Sequence, residues 1–465
     1  MAASDSLTSI IDARRDQWLE ELFEFLRIDS VSTDPARADR VAAAADWLAA
    51  RLSAAGCTET EIWPTAGHPI VYGAWRGAEN APTVLIYGHY DVQPEDPVEL
   101  WDTPPFEPEV RGTKLYARGA VDDKGQLYVH VKALEAVLAA HGTCPVNIVF
   151  LIEGEEEVGS PNVEDVVRGH LERLRCDAVV VSDTTMFAPG VPSLCNGLRG
   201  LAYVEVEVHG PNRDLHSGMF GGAVVNPAEA LAGMLAACRD ADGRIMVPGF
   251  YDDVQEVPSE EREAWKTLPF EESDYRHSLG VDALLDGPGD NPLERLWAQP
   301  TLEVNGMLSG FTGEGAKTVL PAKAMAKVSM RLVANQDPDQ IADRFEQFMR
   351  DIAPAGVRVV VRRMHGGKPW SAPREHPILQ AAARALDRAF DGETVFIREG
   401  GSIPLVGTME ELFGVPTVLM GLGLPDENAH APNENLDLDN FFGGIAAASF
   451  FFEELAQVTD GDDEA

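Results

Sequence analysis

Apolar residues recur at helical spacing at the start of the chain. Leu7, Ile10, Ile11, Trp18, Leu22, Phe25 and Leu26 share one face, as do Val41, Ala45, Leu48 and Leu52. The pattern then switches to short apolar, β-branched runs: "TVLIY" at 83–87, "NIVFLI" at 147–152 and "AVVVS" at 178–182 each predict a strand. Between them Leu127, Val131, Leu134 and Leu138 predict one helix, and a second is expected over 162–174. Strands that are apolar at every position, alternating with helices, imply a parallel sheet covered on both faces.

Near Gly200 the pattern changes. "LAYVEVEVHG" at 201–210 alternates apolar and polar, as a strand with one wet face does, and "AKAMAKVSMRLV" at 322–333 does the same. A helix follows Asn226–Pro227, another is expected near 338–351, and "VRVVVRR" at 357–363 is a strand; 241–300, rich in Pro, Gly, Asp and Glu, reads as an irregular excursion. These elements describe a small two-layer α+β sandwich. Helices and strands of the first kind resume after about Pro373, with a strand at 416–420 and a final helix near 438–457. The expectation is an α/β protein in which a split domain, 1–199 and 371–465, receives an inserted domain, 200–370.

At 465 residues, two domains are also what length predicts. A formal charge of −39 disfavours nucleic acid and anionic membranes as partners. No apolar run reaches the roughly 18 residues a membrane span needs. Cys57, Cys144, Cys176, Cys195 and Cys238 are scattered and never form a CxxC pair, which points to a reducing, cytoplasmic location and away from thiolate metal sites.

The chemistry collects where the apolar strands end. "GHYDVQP" places His89 and Asp91 two residues apart, and "EGEEEVGS" supplies Glu155, Glu156 and Glu157. "VVSD" supplies Asp183, "NAHAPNE" supplies His430, and "DDKG" puts Asp122 and Asp123 at the start of a helix. The carboxyl ends of strands are where open α/β sheets build their sites. Each residue alone has a bland reading: a hydrogen-bonded structural histidine, a helix cap, a solvated acidic turn. Together, two histidines and several carboxylates without cysteine suit Zn²⁺, with Mn²⁺ or Co²⁺ as competitors, and exceed what one tetrahedral ion uses. His89 as ligand with Asp91 orienting its ring explains their spacing.

These pieces, with "YARGAVDDKG", "DLHSGMFGG", "GAKTVLP" and "REGGSIP", occur in order from 88 to 434. The chain resembles the co-catalytic metallopeptidases of carnosinase, cytosolic non-specific dipeptidase, acetylornithine deacetylase and succinyl-diaminopimelate desuccinylase, and the dipeptidase branch most. The resemblance implies two divalent ions: His89 and Asp183 on one, Glu157 and His430 on the other, Asp122 between them across a cis Asp122–Asp123 bond. It implies that Glu156 is the general base for a metal-bridging water and that Asp91 orients His89. His216 would arrive from the partner of a homodimer formed through the inserted domain, which would also act as a lid. Arg331, Thr318, Gly401 and Ser402 would bind substrate, a dipeptide or short peptide with a free C-terminal carboxylate. An N-acyl amino acid amidohydrolase using the same ions is the rival enzyme reading, and a non-catalytic binder the rival of another class. A nucleotide site is disfavoured because no Gly-x-Gly-x-x-Gly turn or Walker lysine is present.

Overall fold

The computed structural model describes residues 2–401 and 403–458. The chain divides into two compact units. The first comprises Met1–Asn196, Ala372–Ile397 and Thr408–Ala465, and the second Gly197–Ser371 with Arg398–Gly407.

The first unit is built on a sheet whose strands run in the order Glu59–Trp63, Ile70–Trp75, Asn147–Glu153, Thr83–His89, Ala178–Val181, Thr417–Leu419, Ser193–Leu198. Its centre is parallel, with Thr83–His89 between Asn147–Glu153 and Ala178–Val181, and both ends are antiparallel. Val84, Ile86, Ile148 and Phe150 pack into one cluster with Trp18, Phe25, Leu134 and Phe451. The alternate residues Leu85, Tyr87, Val149 and Leu151 are buried too, so both faces are covered, as the unbroken apolar runs required. The first two strands had no reading in the sequence: "ETEIW" is mostly polar because it forms the sheet's edge. The helix expected over 162–174 is instead two short ones, Val163–Gly169 and Leu171–Leu174.

Helix Lys124–His141 is buried along most of its length, including two lysines. Lys132 is neutralised by Glu21 and by Glu135, 2.7 Å away, and the Lys124 ammonium donates to the carbonyls of Phe25 (3.1 Å) and Ile28 (2.6 Å), capping the end of the first helix. The helix start is thereby fastened deep in the unit, next to the Asp122 loop.

The second unit has a four-stranded antiparallel sheet in the order Glu303–Ser309, Lys323–Leu332, Gly200–His209, Arg358–Gly367. Ala324, Ala326, Val328 and Met330 alternate into a core with Val204, Val206, Leu231, Ile341 and Phe345. Helices Pro227–Ala236 and Pro338–Asp351 supply the second layer. Both begin with proline after a capping side chain: Asn226 accepts from Ala228 N and Asp337 from Gln340 N. The excursion at 241–300 is less irregular than the sequence indicates. It contains helices Ser259–Lys266, Glu272–Leu279 and Pro292–Ala298, held by tertiary contacts such as the edge-to-face pair Trp265–Trp297, 5.2 Å apart.

Candidate metal centre

His89 is the last residue of its strand and is wholly buried. Its neighbour in register is Glu153, which ends the adjacent strand and leads into the glutamate turn. Asp183 follows the Ala178–Val181 strand by two residues, and His430 lies in the loop between Thr417–Leu419 and Asn435–Asp437. The parallel centre therefore delivers four chain segments to one edge, and the Asp122 loop makes a fifth.

Asp122 sits between the two histidines. Its Oδ1 is 3.1 Å from His89 Nε2, which is 3.9 Å from Asp183 Oδ2. Its Oδ2 is 2.7 Å from His430 Nε2, which is 3.4 Å from Glu157 Oε2. Two sets of one histidine and two carboxylates, sharing one aspartate, thus lie within cation-binding range. Contact with Asp122 and Glu157 raises the His430 imidazole to about 10, and burial together with Asp122 and Asp123 drives the Asp183 carboxyl well above its usual range. So many acidic groups cannot all stay ionised unaided, and cations relieve them. Among the described residues, the buried Glu157 Oε1 has no hydrogen-bond partner. The donor set, imidazole nitrogen and carboxylate oxygen without sulfur, fits two divalent metal ions.

The backbone is specialised here. The Asp122–Asp123 peptide is cis, and His430 has φ 60°, flanked by Asn428 at 56° and Asn433 at 62°. A left-handed conformation costs a histidine about 1–3 kcal/mol and persists where the surroundings over-determine it.

Asp91 has a wider part than ring orientation. The His89 Nδ1 lies 3.0 Å from the Asp91 carbonyl and 3.4 Å from its carboxylate. That carboxylate accepts from the backbone N–H groups of Glu156 (3.2 Å) and Glu157 (3.1 Å). One aspartate thus ties the His89 strand end to the glutamate turn. Burial, with Glu157, Asp122 and Asp91 nearby, pushes the Glu156 carboxyl up to about 7. Glu155 turns away, accepting from Asn162 at 2.7 Å. Asp123 begins the helix without a side-chain cap; its carboxylate instead accepts from His89 N at 3.2 Å.

Three supporting residues escaped the sequence reading, although each lies within a quoted motif or next to one. Gln93 of "GHYDVQP" donates to Glu157 Oε2 at 2.7 Å. Gln126, just after "DDKG", donates to Val121 O at 2.9 Å and accepts from Leu422 N at 2.7 Å. Glu434, closing "NAHAPNE", accepts from Arg118 (2.6 Å) and from the N–H groups of Gly119 (3.0 Å), Val121 (3.0 Å) and Asp122 (3.2 Å). Burial pushes the Glu434 carboxyl up to about 7, with Arg118 and the backbone N–H groups opposing the rise; all these partners are donors, an arrangement that suits an ionised carboxylate. Their signal was a polar residue embedded in an otherwise apolar or ligand-bearing motif.

The remaining named residues belong to the second unit. His216 is exposed, and its Nδ1 accepts from Gly218 N at 3.0 Å. The Leu215–His216 strand pairs with Val319–Leu320, and Ser217 N donates to Thr318 O at 3.1 Å, so His216 and Thr318 share one arm. Arg331 projects from Lys323–Leu332 and is half-buried. Gly401 lies in the segment Arg398–Gly407, and Ser402 falls outside the described residues.

The chain is similar to known dipeptidases over nearly its whole length. The Cys-Gly metallodipeptidase dug1 of Schizosaccharomyces pombe is 33% identical over 471 residues, covering 98% of this chain and 99% of its own. The Beta-Ala-His dipeptidase of Homo sapiens is 33% identical over 475 residues, covering 98% and 94%. The solved structure of the di-peptidase Dug1p from Saccharomyces cerevisiae matches with a TM-score of 0.84 at 28% identity, covering 99% of this chain and 100% of that one. The model of Peptidase family M20/M25/M40 matches residues 85–454. These residues contain every segment that builds the ligand cluster, so the chain belongs to Peptidase family M20/M25/M40.

Proposed function

We propose that the protein is a dinuclear metal-dependent dipeptidase that hydrolyses dipeptides or short peptides with a free C-terminal carboxylate. The observation that carries this reading is Asp122 offering one oxygen to each of two histidine–carboxylate sets, with Glu156 in the same turn as Glu157. His89 and Asp183 would hold one ion, Glu157 and His430 the other, and Asp122 would contribute to both. Bound there, two divalent cations supply Lewis acidity and lower the pKa of water toward neutrality. Zinc is the first candidate, with manganese and cobalt next.

The chain's own groups do the rest. Glu156 takes a proton from water attacking the peptide carbonyl and returns it to the leaving amine. His216, from the partner subunit of a homodimer, donates to the developing oxyanion. Arg331 forks onto the substrate carboxylate, and Thr318, Gly401 and Ser402 complete its binding.

The inserted unit supports the dimer reading: its edge strand Glu303–Ser309 has an unpaired side and exposes Val304, Met307 and Leu308. A cytoplasmic location is supported by five free, buried cysteines, and among the described residues no helix is long and apolar enough to cross a membrane.

The test is metal analysis of the purified protein combined with a substrate panel: Cys-Gly, β-Ala-His, other dipeptides and N-acetyl amino acids, each with added Zn²⁺ or Mn²⁺. Two ions per chain and turnover of dipeptides are expected. Turnover confined to N-acetyl amino acids would replace the reading with an amidohydrolase.

A further inference from the structure

The excursion at 241–300 has no part in the ligand cluster, yet it makes one highly specific contact. Glu261, on helix Ser259–Lys266, is buried, with only 5% of its surface exposed. Its two carboxylate oxygens accept from two nitrogens of Arg398: Nε to Oε1 at 2.8 Å and Nη2 to Oε2 at 2.6 Å. The same guanidinium lies 5.4 Å from the ring centre of Trp265, one turn further along the helix. A planar fork on a carboxylate, backed by an aromatic ring, fixes position and orientation together.

Arg398 opens the "REGGSIP" segment. The sequence places that segment in the split domain, but Arg398–Gly407 packs as part of the second unit. Two residues on, the segment lies close to a second arginine: a Cβ at Gly400 would stand 2.6 Å from Arg199 Nη2, so a side chain there would displace that guanidinium. Arg199 and Arg331 line a cavity of about 490 Å³ in this unit, and Tyr275, Leu284 and Leu285 of the excursion line it too. Arg239 and Arg295 also line it, as do two carboxylates, Asp286 and Glu303.

We propose that Glu261 is a positioning residue. Through Arg398 it fixes the Gly400–Gly401 backbone against Arg199, and so sets the affinity for the C-terminal end of the substrate without touching the chemistry. The inference rests on the reading of Gly401 and Arg331 as substrate-binding. On this account the excursion serves as a brace for the substrate loop.

The experiment compares wild type, Glu261→Gln and Arg398→Lys on one dipeptide, with metal content and thermal unfolding measured alongside. Glu261→Gln keeps the shape of the side chain and removes the charge and one acceptor. A loop displaced by a fraction of an ångström should raise KM at least about tenfold, with kcat within about threefold and both ions retained. Arg398→Lys keeps the charge but loses the fork, and should raise KM by a smaller factor. Unchanged KM in both variants overturns the inference, as does a fall in kcat at constant KM. Should Glu261→Gln fail to fold, Arg398→Lys decides alone. A wild type that hydrolyses no peptide overturns the function itself, a distinct result.

Discussion

Gly88 immediately precedes His89, in the middle of the sheet, and its replacement by alanine sets two effects against each other. Glycine inside a strand is worse than alanine by about 0.5–1 kcal/mol, because it loses more backbone freedom on folding. On that ground alone Gly88→Ala would stabilise the protein. The structure predicts the opposite sign. A Cβ at this position would stand 2.7 Å from Asp123 Oδ2, with Leu127 Cδ1 at 3.1 Å and Leu127 Cβ at 3.4 Å closing the other side. The strand cannot slide aside, since it is paired with Asn147–Glu153 and Ala178–Val181. Asp123 must therefore retreat by at least a few tenths of an ångström, disturbing its bond to His89 N and the adjoining Asp122. Overpacking of this kind costs about 1–3 kcal/mol, so the difference spans about 0–2.5 kcal/mol and centres on a net loss of about 1 kcal/mol. Ligand geometry tolerates only about 0.2 Å, so metal affinity should fall roughly tenfold or more. Urea unfolding of the apoprotein and calorimetric titration with Zn²⁺ measure the two effects separately. An apoprotein as stable as wild type or more so, with unaltered metal affinity, would refute the packing argument.

Other outcomes test the reading of individual groups. Glu156→Gln should retain both ions by elemental analysis and lose nearly all hydrolysis, roughly 10²–10⁴-fold for a general base; an active variant eliminates that role. His216→Ala should cripple turnover while light scattering still reports a dimer, and mixing it with Glu156→Gln should restore part of the activity if sites are completed across subunits. Chelation should lower the unfolding temperature, because the carboxylates around Asp122 then lose the cations that balance them, and re-addition of Zn²⁺ should restore it. A melting curve indifferent to chelator argues against ions at this cluster.

Much of the fold was readable because its signal is local. The runs ending at His89, Glu153 and Val181 are buried on both sides and therefore apolar at every position, and the inserted sheet alternates because only one face has helices over it. What was not readable depends on distant partners. "SEEREAWK" is too polar and short to declare a helix alone; Glu261 and Trp265 hold it through Arg398 and Trp297. At the ligand cluster the residue types and their strand-end positions were visible. That the Asp91 carboxylate would clasp the Glu156–Glu157 turn was not, since that contact spans 65 residues of sequence. Likewise, nothing in "REGGSIP" announces that it packs with the inserted unit.

The point at which the second unit is spliced into the chain bears on how such a protein can diversify. His89, Asp122, Glu157, Asp183 and His430 all come from polypeptide outside Gly197–Ser371, whereas His216, Thr318 and Arg331 lie within it. If the proposed roles hold, a lineage could explore new diets by altering the insert, while the stretches that fold the histidine–carboxylate cluster are inherited untouched.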